Sequence, residues 1–238
     1  SGTLGLLIPP SIILIIYGVT VQESIAKLFI AGIFPGIMIA IIFMTYVVIW
    51  SLMNKNKMPV LTEDIHFIEK IKKSGKLIPV ILLIVSVIGS IYSGVATATE
   101  AASLGVVGAL ILSFFQKSLT IDSFQKSLLG ATKTSCMIGF ILAGSTFLSL
   151  AMGFTGLPRN LAIWIDTMQL SPYILIIVLM IFYIILGMFL DGISAVVLTM
   201  AIIEPMIRQA GFDMIWFGIF LVVVVEMAQI TPPVGFNL

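Results

Sequence analysis

Two consecutive prolines interrupt a hydrophobic run near each end of the chain. The first pair is Pro9-Pro10 and the second is Pro232-Pro233, so a shift of 223 residues superimposes them. Proline lacks a backbone N–H and clashes with the carbonyl four residues back, so each pair interrupts a helix and frees carbonyl groups. In lipid, such a defect is tolerated only where it is buried in protein or faces a polar cavity. A repeated, unwound transmembrane helix is typical of the binding sites of secondary transporters.

The composition indicates whether this chain folds in water or in a lipid membrane. Hydrophobic residues make up 60% of the sequence and charged residues only 10%, with a mean hydropathy of +1.21. Soluble domains carry about 25% charged residues, so the pattern predicts an all-α integral membrane protein. The net charge of +1 argues against a nucleic-acid partner. The single cysteine, Cys136, excludes an intrachain disulfide.

Runs of about 20 apolar residues predict the membrane spans. Complete spans are predicted at 35–52, 77–93, 101–116 and 134–152, with broken helices at 1–19 and 213–238. Segment 173–208 has a second apolar run of only about eleven residues before Glu204-Pro205, too short to cross a bilayer. We therefore predict a re-entrant hairpin over 173–208, with its tip near 190–194.

Two mixed polar and apolar stretches, 20–34 and 117–133, have apolar residues at helical spacing. This pattern favours helices that lie along the membrane surface, and the alternative is an ordinary loop helix. The predicted organisation is then a first broken helix of the transport domain (1–19), an arm helix (20–34) and scaffold helices (35–116) with a cytoplasmic loop (53–76). A second arm helix (117–133) follows, and then a transport-domain helix with a periplasmic loop (134–172). The hairpin (173–208) and the second broken helix (213–238) complete the chain as given.

Lysine and arginine set the orientation of the spans. Loop 53–76 carries six lysines and segment 117–133 carries three, which we assign to the cytoplasm. Only Lys27, Arg159 and Arg208 are then outside. With a hairpin at 173–208, the two broken helices run in opposite directions. The lysine distribution and the proline pairs thus independently predict an inverted repeat.

Carbonyl oxygens at the two breaks could replace the water shell of a small cation, and half-helix ends add partial charge. A simple proline kink is the alternative for either break taken alone. The candidate cation-binding residues at the breaks are Gly5, Ile8, Pro10, Ala228, Thr231 and Pro233.

Several ionisable residues have competing interpretations. Asp191 precedes Gly192 at the predicted hairpin tip, where it is either a solvated turn residue or a carboxylate facing an ion. Glu226, in an apolar run, is either a functional group or a buried carboxylate satisfied by its neighbours. Glu100 completes the pattern Thr97-x-x-Glu and is predicted to form a helix capping box. The only histidine, His66, is predicted to be a surface residue.

Four blocks of this sequence resemble the large membrane subunit of a tripartite ATP-independent periplasmic (TRAP) transporter. They are SGTLGLLIPPS at 1–11, YSGVATATEAAS at 92–103, GMFLDG at 187–192 and AQITPPVGFNL at 228–238. The resemblance implies an inverted-repeat, elevator-type transporter of the bacterial inner membrane, with Na⁺ as coupling ion. It further implies two partners, a small four-helix membrane subunit and a periplasmic substrate-binding protein. We expect neither catalytic residues, nor an organic cofactor, nor a transition metal.

The resemblance also assigns site residues. One sodium site is expected at Gly5, Ile8 and Pro10, and the other at Ala228, Thr231 and Pro233 together with Asp191-Gly192. Substrate contacts are expected at Thr3, Ser11, Gly187, Ser194 and Gln229. In this family a first hairpin should precede residue 1, so we expect the chain to be the C-terminal portion of a longer transporter.

The resemblance implies uptake of an organic acid, of either the sialic acid or the C4-dicarboxylate class, and the stretch 11–30 favours sialic acid. Two other functions fit the sequence. One is a standalone sodium–dicarboxylate symporter, which would need no soluble partner. The other is a passive channel or structural membrane subunit, whose transport would not depend on a sodium gradient.

Overall fold

The computed structural model describes residues 8–54, 75–167 and 171–232. These ranges are helical and contain no strand. The helices, apart from a 3₁₀ turn at Gly75–Leu77, are α1 (Ile12–Thr20), α2 (Ile25–Met53), α3 (Ile78–Tyr92), α4 (Ala98–Phe115), α5 (Ile121–Thr155), α6 (Leu157–Thr167), α7 (Pro172–Gly187), α8 (Gly192–Gln209) and α9 (Met214–Ala228).

Side-chain caps define where many of these helices begin. Ser11, Thr97, Ser171, Asp191 and Asp213 each accept a hydrogen bond from a backbone N–H in the first turn of the helix that follows. Short polar side chains are favoured at this position because they satisfy amides that lack an intrahelical partner. The predicted capping box of α4 is confirmed, with Glu100 Oε2 2.8 Å from the Thr97 backbone nitrogen.

Four helices, α2, α4, α5 and α8, are long and apolar enough to cross a membrane. Three shorter apolar helices, α3, α7 and α9, have 15 or 16 residues. These lengths and compositions confirm the predicted all-α integral membrane protein.

The helices of the structure do not begin and end where the predicted segments do at three places. Segments 20–34 and 35–52 are not separate helices, because α2 continues from Ile25 to Met53 through Pro35. Likewise α5 joins most of 117–133 to 134–152 without interruption. The loop expected in 134–172 contains α6, which starts after Gly156 (φ +68°) and has Pro158 in its first turn. Proline is favoured there because the first amides of a helix have no partner. Whether 20–34 and 117–133 act as arms stays a prediction.

The second helix of segment 173–208 is longer than the apolar run of about eleven residues in the sequence. Helix α8 has 18 residues, not about eleven, because it continues through Pro205 to Gln209. Buried packing over Ala195–Ile207 offsets the hydrogen bond that Pro205 cannot make. The helix break itself lies where the sequence predicted it, between Gly187 and Gly192. Re-entry into the membrane stays a prediction.

The chain divides into two compact units. The first comprises Ser1–Gly36 and Leu128–Leu238, and the second comprises Ile37–Ser127. In the first unit, α9 packs against α7, α8 and α1, and α8 also packs against α6. In the second unit, α3 packs against α4. The candidate site lies entirely in the first unit.

Candidate functional site

The C-terminal ends of α7 and α9 meet at a glycine. A Cβ built on Gly187 would lie 2.6 Å from the Cβ of Ala228 and 3.8 Å from the Val225 carbonyl oxygen. No real Cβ tolerates 2.6 Å, so glycine is required for this approach. Both residues are the last of their helices, so the carbonyl-bearing ends of α7 and α9 lie side by side.

The N-terminal end of α8 reaches the same place. A Cβ on Gly192 would lie 2.7 Å from Gln229 Nε2, 2.7 Å from Ile13 Cδ1 and 3.1 Å from Val225 Cγ1. Gly192 is the first residue of α8, and Gln229 follows the last residue of α9. The start of α8 is thus packed between the end of α9 and the start of α1.

Helix α1 contributes a second N-terminal end. It begins directly after Pro9-Pro10, and the fully buried Ser11 caps it by accepting from the Leu14 backbone nitrogen at 3.3 Å. We call this convergence of two helix N-terminal ends (α1 and α8) and two C-terminal ends (α7 and α9) the four-end junction. N-terminal ends favour anions and C-terminal ends favour cations, so the junction can hold both.

Asp191 acts as a helix cap in the four-end junction. Its Oδ2 accepts from the backbone nitrogens of Ile193 at 3.1 Å and Ser194 at 3.2 Å. The structure therefore shows Asp191 as the N-cap of α8 at the junction, and a carboxylate that faces an ion stays a prediction. Oδ2 thus accepts both of the cap hydrogen bonds.

At the second break, the chain turns immediately after α9. The Ala228 carbonyl oxygen accepts from both the backbone nitrogen (3.0 Å) and the hydroxyl of Thr231. The Ala228 carbonyl is thus engaged in this arrangement, rather than freed by the proline pair. The Thr231 hydroxyl donates its proton to this bond, so its lone pairs are the oxygen donors available to a cation.

The structure brings together seven of the predicted site residues: Ser11, Gly187, Asp191, Gly192, Ala228, Gln229 and Thr231. Ser194 lies in the first turn of α8 beside them. Ile8 packs against Gly36 of α2, and Pro10 is exposed. Thr3, Gly5 and Pro233 lie outside the described residues.

Sequence reasoning missed two apolar members of the junction, Ile13 and Val225, which contact Gly192. It also missed the hydrogen bond of 2.6 Å between the Tyr183 hydroxyl and Thr199 Oγ1, which joins α7 to α8. No sequence signal distinguishes Ile13 or Val225 from other apolar residues. Tyr183 and Thr199 could have been noticed as polar residues opposite each other in the predicted hairpin.

Among the described residues, no group of three or more His, Cys, Asp or Glu side chains could hold a metal ion. The oxygen donors at the junction are a carboxylate, a hydroxyl and backbone carbonyls. Hard monovalent and divalent cations prefer oxygen ligands, while transition metals prefer nitrogen and sulfur. This donor set therefore fits a cation such as Na⁺.

Long apolar helices together with a polar junction of helix ends are the features of an integral membrane protein built like a transporter. A family model described as "Tripartite ATP-independent periplasmic transporter, DctM component" matches residues 1–238. The chain belongs to this family.

Curated relatives agree with that membership. The chain is 36% identical over 240 residues to the C4-dicarboxylate TRAP transporter large permease protein DctM of Pseudomonas aeruginosa, which covers 100% of this chain and 55% of the relative. It is 31% identical to the 2,3-diketo-L-gulonate TRAP transporter large permease protein YiaN of Escherichia coli, covering 99% and 55%. It is also 31% identical to the isethionate TRAP transporter permease protein DctMQ of Oleidesulfovibrio alaskensis, covering 100% and 37%. The chain thus spans about half, or less, of these permeases, and none of their names describes an enzyme.

Proposed function

We propose that the complete protein takes up a small organic acid across the inner membrane, driven by sodium and supplied by a periplasmic binding protein. The observation that carries this proposal is the four-end junction, in a chain of the TRAP large-permease family. Broken helices whose ends meet at one point are how secondary transporters bind charged substrates and ions within the membrane.

The cation site is proposed at the C-terminal end of α9. The Thr231 hydroxyl, the Asp191 carboxylate and backbone carbonyls after Ala228 supply the oxygen donors, and the ends of α7 and α9 add negative partial charge. The second sodium site, at Gly5, Ile8 and Pro10, is proposed from the family resemblance and the repeated proline pair.

The substrate carboxylate is proposed at the N-terminal end of α1. Two N-terminal ends reach the junction, but their caps differ in charge. The Asp191 carboxylate already occupies the first amides of α8 and would repel an anion. Ser11 is a neutral cap, so it adds no negative charge that would repel an anion at the N-terminal end of α1. Ser194 and Gln229 are the polar side chains proposed to contact the rest of the substrate.

An inverted repeat is supported by the directions of α1 and α9. Tyr17, near the end of α1, donates to the Met214 carbonyl oxygen at the start of α9 (2.7 Å). Ile13, near the start of α1, reaches Val225 and Gln229 through Gly192. Helix α1, which follows the first proline pair, therefore runs antiparallel to α9, which precedes the second. Inverted copies would have these directions when each broken helix continues in the same direction through its break. An elevator movement of the transport domain is proposed with this repeat.

The family match favours dependence on a binding protein over a standalone symporter. The fused name of the isethionate relative supports a small membrane subunit as partner. The relatives are named for C4-dicarboxylate, isethionate and 2,3-diketo-L-gulonate, so the proposed substrate is a small organic acid. Sialic acid stays a prediction.

The test is uptake by proteoliposomes that contain the complete permease with its small subunit and binding protein. Labelled succinate and labelled sialic acid are compared, with the sodium gradient intact or collapsed. We expect uptake of one acid only with both the gradient and the binding protein. Uptake without the binding protein would indicate the standalone symporter. Uptake that persists after the gradient is collapsed would indicate a passive channel.

A further inference from the structure

A buried tyrosine and a buried threonine join the two helices of segment 173–208. Tyr183 of α7 is fully buried, and Thr199 of α8 is 8% exposed. Their hydroxyl oxygens lie 2.6 Å apart. Within the described part of the chain, this is the one side-chain hydrogen bond that links α7 to α8. Helix α7 otherwise packs mainly against α9, so the bond is a principal tie between the two helices.

The direction of this bond follows from a third oxygen. Thr199 Oγ1 also lies 2.7 Å from the Ala195 carbonyl oxygen, one turn earlier in α8. A carbonyl oxygen can only accept, so the single hydroxyl proton of Thr199 goes to Ala195, and Tyr183 must donate to Thr199. The hydroxyl of Tyr183 is therefore connected through Thr199 to the backbone of α8 in the second turn of that helix.

A phenylalanine at position 183 would fill the same space without a buried hydroxyl. The chain has 16 phenylalanines and 5 tyrosines, so most of its aromatic rings are apolar throughout. A buried hydroxyl must be bonded to offset its desolvation, so such a pair adds little net stability over an apolar one. What a fully satisfied polar pair adds is a single, well-defined arrangement of the two helices.

The bond lies close to the four-end junction without belonging to it. Tyr183 comes one turn before Gly187, which packs against Ala228 of α9. Thr199 comes eight residues after Asp191, which is about 12 Å along α8 at about 1.5 Å per residue. The packing at Gly187 limits how closely α7 approaches α9, but it leaves α7 free to slide along α8. The hydrogen bond fixes that register, because it requires a short distance and a favourable angle.

We propose that Tyr183 and Thr199 are positioning residues for the sodium site at the C-terminal end of α9, an inference that rests on the proposed function. They do not contact the cation. By fixing the register of α7 against α8, they hold the Asp191 carboxylate in place relative to the helix ends that meet at Gly187. The ligands of a binding site must be held to within about 0.5 Å by supporting contacts of this kind. Loss of the bond therefore lowers sodium affinity although every proposed ligand is still present.

Sodium binding to the complete purified permease tests this role without transport. A bound ion raises the unfolding temperature, so the apparent sodium dissociation constant follows from that rise, with potassium chloride keeping the ionic strength constant. We expect the constant to increase about fivefold in Tyr183→Phe and in Thr199→Val, since groups that orient a metal ligand affect affinity strongly. The double variant should be no weaker than either single one, because both lose the same bond. Thr199→Ser keeps the hydroxyl and should stay within about twofold of the wild type.

Ser145→Ala is the matched control. It removes a buried hydrogen bond of similar length, 2.7 Å, from α5 to the Val197 carbonyl oxygen of α8, and this bond does not involve α7. We expect it to lower the unfolding temperature without sodium and to leave the sodium dissociation constant within about twofold. An equal weakening of sodium binding in Ser145→Ala would overturn the proposal, because any loosening of α8 would then have the same effect.

Two further outcomes separate this proposal from the proposed function. If sodium stabilises the wild type, and Tyr183→Phe and Thr199→Val unfold earlier but bind sodium with unchanged affinity, the pair is only structural and the positioning role is wrong. If sodium does not stabilise the wild type and does not drive its uptake, the proposed sodium-driven function is wrong, and the positioning role is wrong with it.

Discussion

Glycines and helix caps have different surroundings in the two units of this protein. In the first unit, Gly187 and Gly192 lie against rigid or buried atoms of other helices, and the caps at Ser11 and Asp191 belong to the four-end junction. In the second unit, Gly108 of α4 faces the flexible end of Leu83, and the cap at Thr97 is exposed.

Burial differs in the same way. In the first unit, half or more of the residues of α1, α8 and α9 are buried, whereas in the second unit α3 and α4 expose large apolar side chains along most of their length. In a membrane, such exposed faces are suited to lipid or to another membrane helix. The comparison indicates that substitutions which move the backbone are poorly tolerated where helix ends form a site. They are better tolerated where helices face an apolar environment.

The largest expected effect is from Gly187→Ala. The added Cβ would meet the Cβ of Ala228, which has no side-chain freedom to move away, so α7 and α9 must separate. Overpacking of this kind costs about 1–3 kcal/mol. Thermal unfolding of the complete protein in detergent, followed by tryptophan fluorescence, should show a clear loss of stability. Sodium-dependent uptake should fall with it.

Gly108→Ala is the matched control for this change. Its Cβ would meet the end of the Leu83 side chain, which can adopt another rotamer, so we expect a cost below about 1 kcal/mol. Equal destabilisation by the two variants would remove the distinction between the units.

The second prediction concerns the hydroxyl at the end of α9. Thr231→Val keeps the side-chain shape but removes both the bond to the Ala228 carbonyl and a proposed sodium ligand. We expect the sodium concentration for half-maximal uptake to rise about tenfold, equivalent to about 1.4 kcal/mol. Thr231→Ser keeps the hydroxyl and should remain within about twofold of the wild type. Unchanged sodium activation in the valine variant would exclude Thr231 as a ligand.

Local chemistry made much of this fold predictable. The capping box at Thr97 and Glu100, the helix break before Gly192 and the apolar character of the helices all depend on residues close together in sequence. The helix ends differ from the predicted segments where a helix continues through a local stop signal. Pro35 and Pro205 would end helices in isolation, but α2 and α8 continue through them.

The site was predictable only in the members that lie beside helix breaks. Asp191, Gly192, Gln229 and Thr231 lie beside helix breaks that the sequence announces by Asp-Gly and Pro-Pro. The partner surfaces could not be derived, because the contact between Gly192 and Ile13 joins residues far apart in sequence, and an isoleucine gives no signal of its position. The hydrogen bond from the Thr231 hydroxyl to the Ala228 carbonyl oxygen was also not predictable, since it depends on how the chain turns after α9.

The third prediction separates the two roles of Asp191. Asp191→Ala removes the cap of α8 and should cost about 1 kcal/mol of stability. Asp191→Asn keeps a cap oxygen and removes the charge, so its stability should stay near that of the wild type. If the carboxylate is a sodium ligand, the asparagine variant alone should still weaken sodium activation of uptake.

Thr97→Ala in the second unit is the matched cap control. It should lose a similar stability of about 1 kcal/mol, because it too removes an N-cap, yet leave sodium activation unchanged. Normal sodium activation in Asp191→Asn would reduce Asp191 to a structural cap like Thr97.

The smallest expected effect distinguishes two ion pairs. Arg208 Nε lies 2.9 Å from Glu204 Oε1, and Arg208 Nη2 lies 3.8 Å from Glu23 Oε1. Arg208 Nη2 also donates to the Val21 carbonyl oxygen, so Arg208 links the α1–α2 loop to the end of α8. In the second unit, Lys126 pairs with Asp122 at 2.7 Å within one exposed helical turn. Exposed pairs contribute little, and Arg208 is itself half exposed, so we expect Arg208→Gln to cost about 0.5 kcal/mol and Lys126→Gln almost nothing. Unfolding measured at low and high salt checks this order, since screening should reduce the first difference. A larger cost for Lys126→Gln would show that local pairing, rather than the link between elements, determines the stabilisation.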